Sequence, residues 1–282
     1  MDVFTLYVAQ GHLSVVRSHD EAIIIDAHMP DCDGDVSCEA IVRTLTDYLR
    51  NVRVRGLVLT GLDRDHAHPP GVELILKKWT PDWVMYPTVY KETDAADEVF
   101  ATIEREVTRR KSTSRALTRE SVRLDKVDSR LLRRELSNEF NLELFSPHVE
   151  DMDSSNNSSI VLLISGRRDG GFRYLVTGDT EVERWERIVE LFGGALVTDV
   201  LAAPHHGSKT GVHPKAILHA SPHTVIISAG VRNQYGHPDE EAVRVYKRVA
   251  SHVHATNDDD PGVCLLTRVG RAGIETHHVG HS

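Results

Sequence analysis

Four groups of aspartate and histidine each lie just beyond an apolar, β-rich segment of this 282-residue sequence. The groups are Asp63-Arg64-Asp65-His66, Gly178-Asp179, Pro204-His205-His206-Gly207-Ser208 and Tyr235-Gly236-His237-Pro238. Side chains at the ends of neighbouring strands can converge on one edge of a sheet, and aspartate and histidine are the ligands of hydrolytic metal sites. The pattern therefore predicts a metal-dependent hydrolase whose site is built from strand ends.

The most specific of these strings is His-His-Gly-Ser at 205–208. Adjacent side chains of an extended chain point to opposite sides, so His205 and His206 are not expected to bind the same metal ion. One would coordinate the metal, and the other would hydrogen-bond a phosphate or the cluster; we predict His205 as the ligand. Ser208 and Lys209 follow in the same loop and could hold a phosphate oxygen.

Hydrophobic patterning predicts the elements that position these residues. The strand-like runs are Val3–Ala9, Leu13–Arg17, Ala22–Asp26, Val54–Thr60, Trp83–Tyr86, Leu142–Phe145, Ile160–Ser165, Phe172–Thr177, Asp199–Ala203, His223–Ser228 and Val263–Thr267. Helices are expected after Ser37, from Pro69-Pro70 through Trp79, over Glu181–Phe192 and over Pro238–Val249. Strands with interspersed helices fit an α/β fold, a four-layer αββα sandwich.

Length and charge fit one domain over residues 1–282 that is no general binder of polyanions, because the net charge is −9. Residues 104–135 differ, with eleven Lys and Arg against six Asp and Glu. We interpret them as part of a basic insertion at about 91–140. It is either a solvated helical face or an arm that contacts a polyanion over the active site.

Cysteine usage and the amino terminus indicate a cytoplasmic protein. Cys32, Cys38 and Cys264 form neither a zinc-type spacing nor an even disulfide set, which suits a reducing compartment. The start of the sequence lacks the basic and apolar regions of a signal peptide. No apolar run approaches about 18 residues, so no contact with a membrane is expected.

The order of the motifs resembles the metallo-β-lactamase-fold hydrolases, and within them the soluble hydrolase domain of ComEC-type DNA-uptake proteins and its stand-alone relatives. The strings that carry the resemblance are Leu-Thr-x-x-Asp-x-Asp-His (59–66), Asn-Asn-x-Ser (156–159), Thr-Gly-Asp (177–179), His-His-Gly-Ser and Tyr-Gly-His-Pro. The likeness runs from Val3 to about Gly273 and is closest from Asn156 to Pro238.

The resemblance implies roles for the acidic residues. Asp65 and His66 would serve one metal ion, Asp63 would occupy the second ligand position, and Asp179 would bridge two ions. Asp26 matches an aspartate at a strand end that orients the metal-binding loop.

The resemblance also implies roles for the polar residues that follow. Asn157 lies in a motif whose asparagine could bind metal or hydrogen-bond a phosphate, although an Asx turn is an equal alternative. His237 could replace His205 as the last ligand or act as a general acid, and His206 and Asp65 are further catalytic candidates. The remaining histidines, including His252, His254, His277 and His278, are expected to be surface or core residues.

Gly61 departs from the family pattern, which begins this motif with histidine. Glycine cannot bind a metal, so the second metal position is expected to be weakened. The missing ligand could come from His12, His68 or water. His12 stands where relatives usually carry aspartate, so it could supply the missing imidazole. A histidine in a surface turn is the alternative reading of His12.

The metal motifs predict a metal-dependent hydrolase, and the resemblance to ComEC-type proteins implies a phosphodiesterase, a nuclease that hydrolyses DNA or RNA with water activated by one or two Mn²⁺ or Zn²⁺ ions. One alternative is a hydrolase of a small phosphodiester or phosphocholine ester on the same fold. The other is a degenerate, non-catalytic binding or regulatory module.

Overall fold

A computed structural model of the chain describes residues 1–30, 36–124, 130–149, 154–167, 171–270 and 272–281. Cys32 lies outside the described residues. So do residues 150–153, residues 168–170 between the expected strands Ile160–Ser165 and Phe172–Thr177, and residues 125–129 of the basic stretch.

The described residues form fifteen strands and six α-helices. In chain order the strands are β1 (Asp2–Thr5), β2 (Ser14–Arg17), β3 (Glu21–Ile25), β4 (Arg53–Val58), β5 (Trp83–Pro87), β6 (Thr118–Val122), β7 (Leu131–Arg133), β8 (Phe140–Ser146), β9 (Val161–Gly166), β10 (Arg173–Val176), β11 (Val200–Ala202), β12 (Thr224–Ile227), β13 (His252–Ala255), β14 (Cys264–Gly270) and β15 (Gly273–Val279). The helices are α1 (Cys38–Tyr48), α2 (Pro69–Lys78), α3 (Asp94–Arg110), α4 (Val182–Phe192), α5 (Pro214–Ala220) and α6 (Glu240–Val249).

Two mixed sheets hold all of these strands. The first has the order β15-β14-β1-β2-β3-β4-β5-β6, and the second has the order β13-β12-β11-β10-β9-β8-β7. In the first sheet β3 to β6 run parallel to one another, and in the second β10 to β13 do the same. Each sheet therefore has a parallel half whose carboxyl ends share one edge.

The alternation of side chains along each strand divides the core into layers. On β3, Ile23 and Ile25 lie in the apolar layer between the sheets, while Ile24 faces helices α1 to α3. On β10, Val176 lies between the sheets and Leu175 faces helices α4 to α6. The predicted α/β fold with four αββα layers is confirmed.

Ser37 and Pro69, which the sequence marks as helix starts, have that role in the structure. The Ser37 side chain accepts a hydrogen bond from the Ala40 N–H at the start of α1, and Pro69 begins α2. Glu181 is the N-terminal cap residue of α4, one position before the helix. The expected helix from Pro238 begins at Glu240, because Asp239 still has extended dihedral angles.

The basic stretch contributes regular structure at the borders of both sheets. Its first part ends α3, and it then forms β6 on the border of the first sheet and β7 on the border of the second. Arg110 is buried and donates hydrogen bonds to the carbonyls of Pro81 and Arg115 at the amino end of β5. This end of the stretch lies opposite the carboxyl edge of the sheets and is no arm over it.

Candidate metal centre

The candidate site lies where the parallel strands of both sheets end. Asp26 directly follows β3, and the loop from Thr60 to His66 follows β4. From the other sheet, Asp179 follows β10 and the His205-His206 turn follows β11. The carboxyl ends of parallel strands meet at one edge of a sheet, which brings together residues that are far apart in sequence.

Four side chains form a compact group at this edge, with one potential ligand atom each within 4.8 Å of all the others. They are Asp65, His66, Asp179 and His206. His66 Nε2 lies 2.8 Å from Asp179 Oδ1. His206 Nε2 lies 3.4 Å from Asp65 Oδ2 and 3.7 Å from Asp179 Oδ1. Two carboxylates and two imidazoles from three different loops therefore surround one point.

Asp26 lies beneath this group and is completely buried. Its Oδ1 accepts a hydrogen bond from the Thr60 backbone N–H at 2.7 Å, and its Oδ2 lies 2.8 Å from Nδ1 of both His12 and His66. A carboxylate on Nδ1 places the lone pair of an imidazole on Nε2 and fixes the ring. Asp26 therefore orients His66 toward the group, and His12 helps to hold Asp26.

The charges of the group are strongly coupled. Burial alone would raise the pKa of Asp179, but the nearby His66 and His206 outweigh it and lower that pKa below its ordinary value. Burial would lower the pKa of His66 and of His206, yet the adjacent carboxylates raise both above the ordinary value. The acids thus favour a positive charge at the centre of the group, whether carried by protons or by a metal ion.

The surroundings of the two His206 ring nitrogens indicate that a metal ion fits this position. Its Nδ1 lies 2.9 Å from the Ser228 carbonyl oxygen, which can only accept, so Nδ1 carries a proton and Nε2 is the atom that takes up either a second proton or a metal ion. Nε2 is buried and has no hydrogen-bond partner among the described residues, although it faces Asp65 and Asp179. Two carboxylates that face this nitrogen favour a cation between them, and a metal ion bound by all of these side chains meets that requirement. The residues therefore fit a divalent metal ion.

The His-His turn does not have the extended backbone assumed from the sequence. His205 (φ 51°) and His206 (φ 53°) both lie in the left-handed region. His206 points into the four-residue group. His205 lies at its border, where its Nδ1 is 3.4 Å from Glu181 Oε1 and its Nε2 is 3.9 Å from Asp179 Oδ2. The structure thus groups His206, and not the expected His205, with the other ligand candidates.

Asp63 and Asn157, both expected near the metal, lie outside the four-residue group. Asp63 Oδ2 accepts a hydrogen bond from Ser155 Oγ at 2.5 Å, on the wall of the adjacent groove. Asn157 Oδ1 accepts a hydrogen bond from the Glu181 N–H at 3.1 Å. The side chain therefore holds the residue that precedes α4.

The remaining predicted residues are Ser208 and Lys209, which lie in the loop after His205-His206, and His237, which lies near that loop. Ser208 Oγ is 3.0 Å from Thr210 Oγ1, and the backbone N–H of exposed Lys209 donates to Asp239 Oδ2. His237 is half-buried with Nδ1 3.7 Å from Asp239 Oδ2, and burial is the main cause that lowers its pKa below the ordinary value.

An open groove of about 260 Å³ leads to the group. Its walls are Gln10, Asp63, Asp65, Lys91, Ser155, Asn156, Asp179, His205, His206, Tyr235 and His237. Sequence reasoning assigned no role to Lys91, Glu181 or Tyr235. Tyr235 was within a quoted motif, and its side chain is exposed and stacks on His237 with ring centroids 5.8 Å apart. A larger cavity of about 790 Å³, lined among others by Arg17, Tyr48 and Arg268, contains none of the predicted site residues.

Gly178 and Gly61 differ in the space around them: Gly178 is tightly packed, whereas Gly61 is not. Gly178 has φ 52°, and a Cβ there would lie 2.9 Å from Ser159 Cβ and 3.0 Å from Thr60 Cβ, so the close approach of the two loops requires glycine. A Cβ at Gly61 would meet nothing within 4 Å. The position where relatives carry histidine is therefore open space in this chain.

Comparison with solved structures identifies the fold. Igni18, described as a novel metallo hydrolase from the archaeon Ignicoccus hospitalis, superposes with a TM-score of 0.53 at 16% identity, over 96% of this chain and 100% of Igni18. The metallo-β-lactamase fold protein YhfI from Bacillus subtilis gives 0.52 at 12% identity, over 94% and 99%. The chain has the metallo-β-lactamase fold, as its motifs predict.

Among curated proteins, the chain is similar to ComE operon protein 3 of Bacillus subtilis, with 35% identity over 116 residues, and to competence protein ComA of Neisseria gonorrhoeae, with 30% over 130 residues. The matches cover 41% and 46% of this chain but only 14% and 18% of those proteins. The predicted resemblance to ComEC-like proteins is confirmed. No family model matches the sequence. Among the described helices, none combines the length and the apolar character needed to cross a membrane.

Proposed function

We propose that this chain is a metal-dependent phosphodiesterase that hydrolyses nucleic acid. The observation that carries the proposal is the buried Nε2 of His206, which faces two carboxylates at the end of an open groove. Such a group binds a divalent cation, and an open groove beside it admits a chain-like substrate.

Asp65, His66, Asp179 and His206 would hold the ion, and Asp26 keeps His66 in the orientation for binding. When bound, a divalent ion polarises a phosphate and lowers the pKa of a water molecule. The equal share of carboxylates and imidazoles suits Mn²⁺ as well as Zn²⁺. This group holds one ion, and a second ion would bind more weakly because Gly61 supplies no ligand.

Hydrolysis consumes one water molecule. Its oxygen forms a new bond to phosphorus, the ester bond to the leaving oxygen breaks, and that oxygen takes up a proton. His205 is placed to donate the proton, because Glu181 Oε1 lies 3.4 Å from its Nδ1 while the ring lines the groove. We assign this role to His205 instead of His237, whose lowered pKa favours the neutral ring near pH 7.

Nucleic acid is the proposed substrate for three reasons. One relative named above, ComA of Neisseria gonorrhoeae, is a competence protein by name, and a third relative, similar over 114 residues, is recombination protein 2 of Haemophilus influenzae. The groove is open, and Lys91 on its wall can contact a phosphate. Exposed Tyr235 offers a face on which a base can stack. We also propose a cytoplasmic location, because the three cysteines of the sequence form neither a zinc-type spacing nor an even disulfide set.

The test is a cleavage assay on linear, circular and single-stranded DNA and on RNA, with Mn²⁺ or Zn²⁺ and with chelator. We expect cleavage that requires the metal, and we expect Asp179→Ala to abolish it, because the variant removes a ligand while the fold persists. A small chromogenic phosphodiester tests the alternative substrate class. Turnover of that compound without any cleavage of nucleic acid would reject the nuclease proposal.

The open position at Gly61 favours a second candidate, a non-catalytic metal-binding module. The same assay separates the two candidates when the metal content of each sample is measured. A chain that holds its ion but turns over none of these substrates is a binding module.

A further inference from the structure

A second group of potential metal ligands lies on the surface, away from the groove. It consists of His254, Asp258 and His278, with one potential ligand atom each within 4.8 Å of the other two. None of these residues lines the groove or belongs to the group around His206. If His254 and His278 were ordinary surface residues, there would be no reason for them to lie this close to each other and to Asp258.

The group joins the outer strands of the two sheets. His254 lies on β13, which borders the second sheet, and His278 lies on β15, which borders the first. Their ring centroids are 5.8 Å apart, so the two borders meet at this side of the sandwich. Asp258 lies in the turn that follows β13.

Strand pairing and the alternation of side chains explain why the rings of His254 and His278 lie close together. Val253 packs against the core beneath the helices, so the neighbouring His254 faces the opposite side, between the sheets. His278 pairs with Leu265, which belongs to the apolar layer between the sheets, whereas the adjacent His277 pairs with Leu266, which packs against the helix-side core. His278 and His277 therefore face opposite sides of β15.

Hydrogen bonds already restrain two of the three side chains. Asp258 Oδ2 accepts the Ala255 N–H at 2.7 Å, and His278 Nδ1 lies 3.1 Å from Asp259 Oδ2. A carboxylate on one ring nitrogen leaves the lone pair on the other, which is the arrangement around many metal-bound histidines.

We propose that His254, Asp258 and His278 bind one divalent transition-metal ion that links the borders of the two sheets. Two imidazoles and a carboxylate favour Zn²⁺, Ni²⁺ or Cu²⁺ over Mg²⁺ or Ca²⁺. Ligands of one Zn²⁺ ion lie roughly 3.3 Å apart when each bond is about 2.0–2.1 Å long. Small rotations of these accessible side chains reach that separation. Such a site has three protein ligands, so water would complete the coordination. Because its ligands come from the borders of both sheets, we expect the ion to stabilise the fold.

The test measures Zn²⁺ binding to the full chain after metal removal, at buffered free Zn²⁺, by elemental analysis. The double variant His254→Ala/His278→Ala removes two ligands. The matched control His19→Ala/His277→Ala removes two histidines that face elsewhere, since the His19 side chain is 95% exposed. Asp258→Asn removes the anionic ligand and keeps an acceptor for the Ala255 N–H.

We expect the parent chain and the control to bind the same number of Zn²⁺ ions, and the ligand variant to bind one fewer. Zn²⁺ should raise the melting temperature of the ligand variant by less than that of the parent, and Asp258→Asn should weaken binding at the same site. These differences do not depend on how many ions the groove holds or on its activity. Equal ion counts in the parent and the ligand variant would overturn the proposal, and so would an equal loss in the control.

Discussion

The two adjacent histidines at 205–206 have different surroundings because the backbone there is left-handed. His206 hydrogen-bonds the Ser228 carbonyl and points its other nitrogen at Asp65 and Asp179, whereas His205 faces Glu181. We expect His206→Ala to lose the tightly bound ion. His205→Ala should keep it and lose about 10²–10⁴-fold in turnover, as the removal of a general acid does. Metal content and kcat, measured together on both variants, decide this, and the opposite pattern would restore His205 as the ligand.

Protons compete with the metal for His66 and His206. The pKa of each histidine in the metal-free protein is raised above 6.5, so both rings hold protons at and somewhat above that pH. Because the ion needs their lone pairs, metal affinity should fall as the pH is lowered, and the fall should begin above pH 6.5. Titration with Mn²⁺ between pH 6 and 9 measures this. A constant affinity across the range would show that neither ring binds the ion.

Gly61 and His12 are the two residues expected to affect how many metal ions the candidate site binds. His12 Nδ1 lies 2.8 Å from Asp26, so His12 supports Asp26 and does not fill the open space at Gly61. Gly61→His should therefore add a ligand and strengthen the binding of a second Mn²⁺ ion. His12→Ala should keep the number of ions and lower the free energy of unfolding. Calorimetric titration of both variants and the parent is the measurement, and loss of an ion in His12→Ala would instead make His12 a ligand.

At the scale of elements, the loop after β10 must approach the loop after β4 closely. Gly178 makes this approach possible, since it has φ 52° and a Cβ would lie 2.9–3.0 Å from Ser159 and Thr60. We expect Gly178→Ala to lower the free energy of unfolding by about 1–3 kcal/mol and to weaken metal binding through the shift of Asp179. Gly194→Ala is the control, because a Cβ there meets nothing within 4 Å. Denaturant unfolding of both variants shows whether the effect is specific.

Hydrophobic patterning identified buried elements such as β4 and α4, because burial imposes a period on the sequence. It did not predict α3 or α5, although each of these helices buries one face. It missed β13 and β15, whose side chains are largely exposed and therefore carry no such signal. The loops that carry the site were predictable from their motifs. The direction of each side chain was not, because it depends on dihedral angles such as those of the His-His turn and on contacts between distant segments.

At the scale of the whole molecule, the site lies at the carboxyl edge shared by the parallel halves of the two sheets. The end of α3, with Arg109 and Lys111, lies beside Pro81 at the opposite edge, where neighbouring Arg110 is a buried structural residue. A local excess of positive charge in the sequence therefore does not mark the substrate-binding face. Exposed Lys91 is the lysine on the groove wall, and exposed Lys209 lies in the loop that follows the His-His turn.

These lysines give the last prediction. The net charge of −9 repels a polyanion, so cations at the groove should dominate its salt-dependent binding. We expect Lys91→Glu/Lys209→Glu to weaken the binding of single-stranded DNA. It should also reduce the slope of log K against log salt by about 1.4, since each lost phosphate contact accounts for about 0.7. Arg109→Glu/Lys111→Glu changes the net charge equally at the opposite edge and should leave the slope unchanged. Equal changes in both variants would show that overall charge, and not the groove, controls binding.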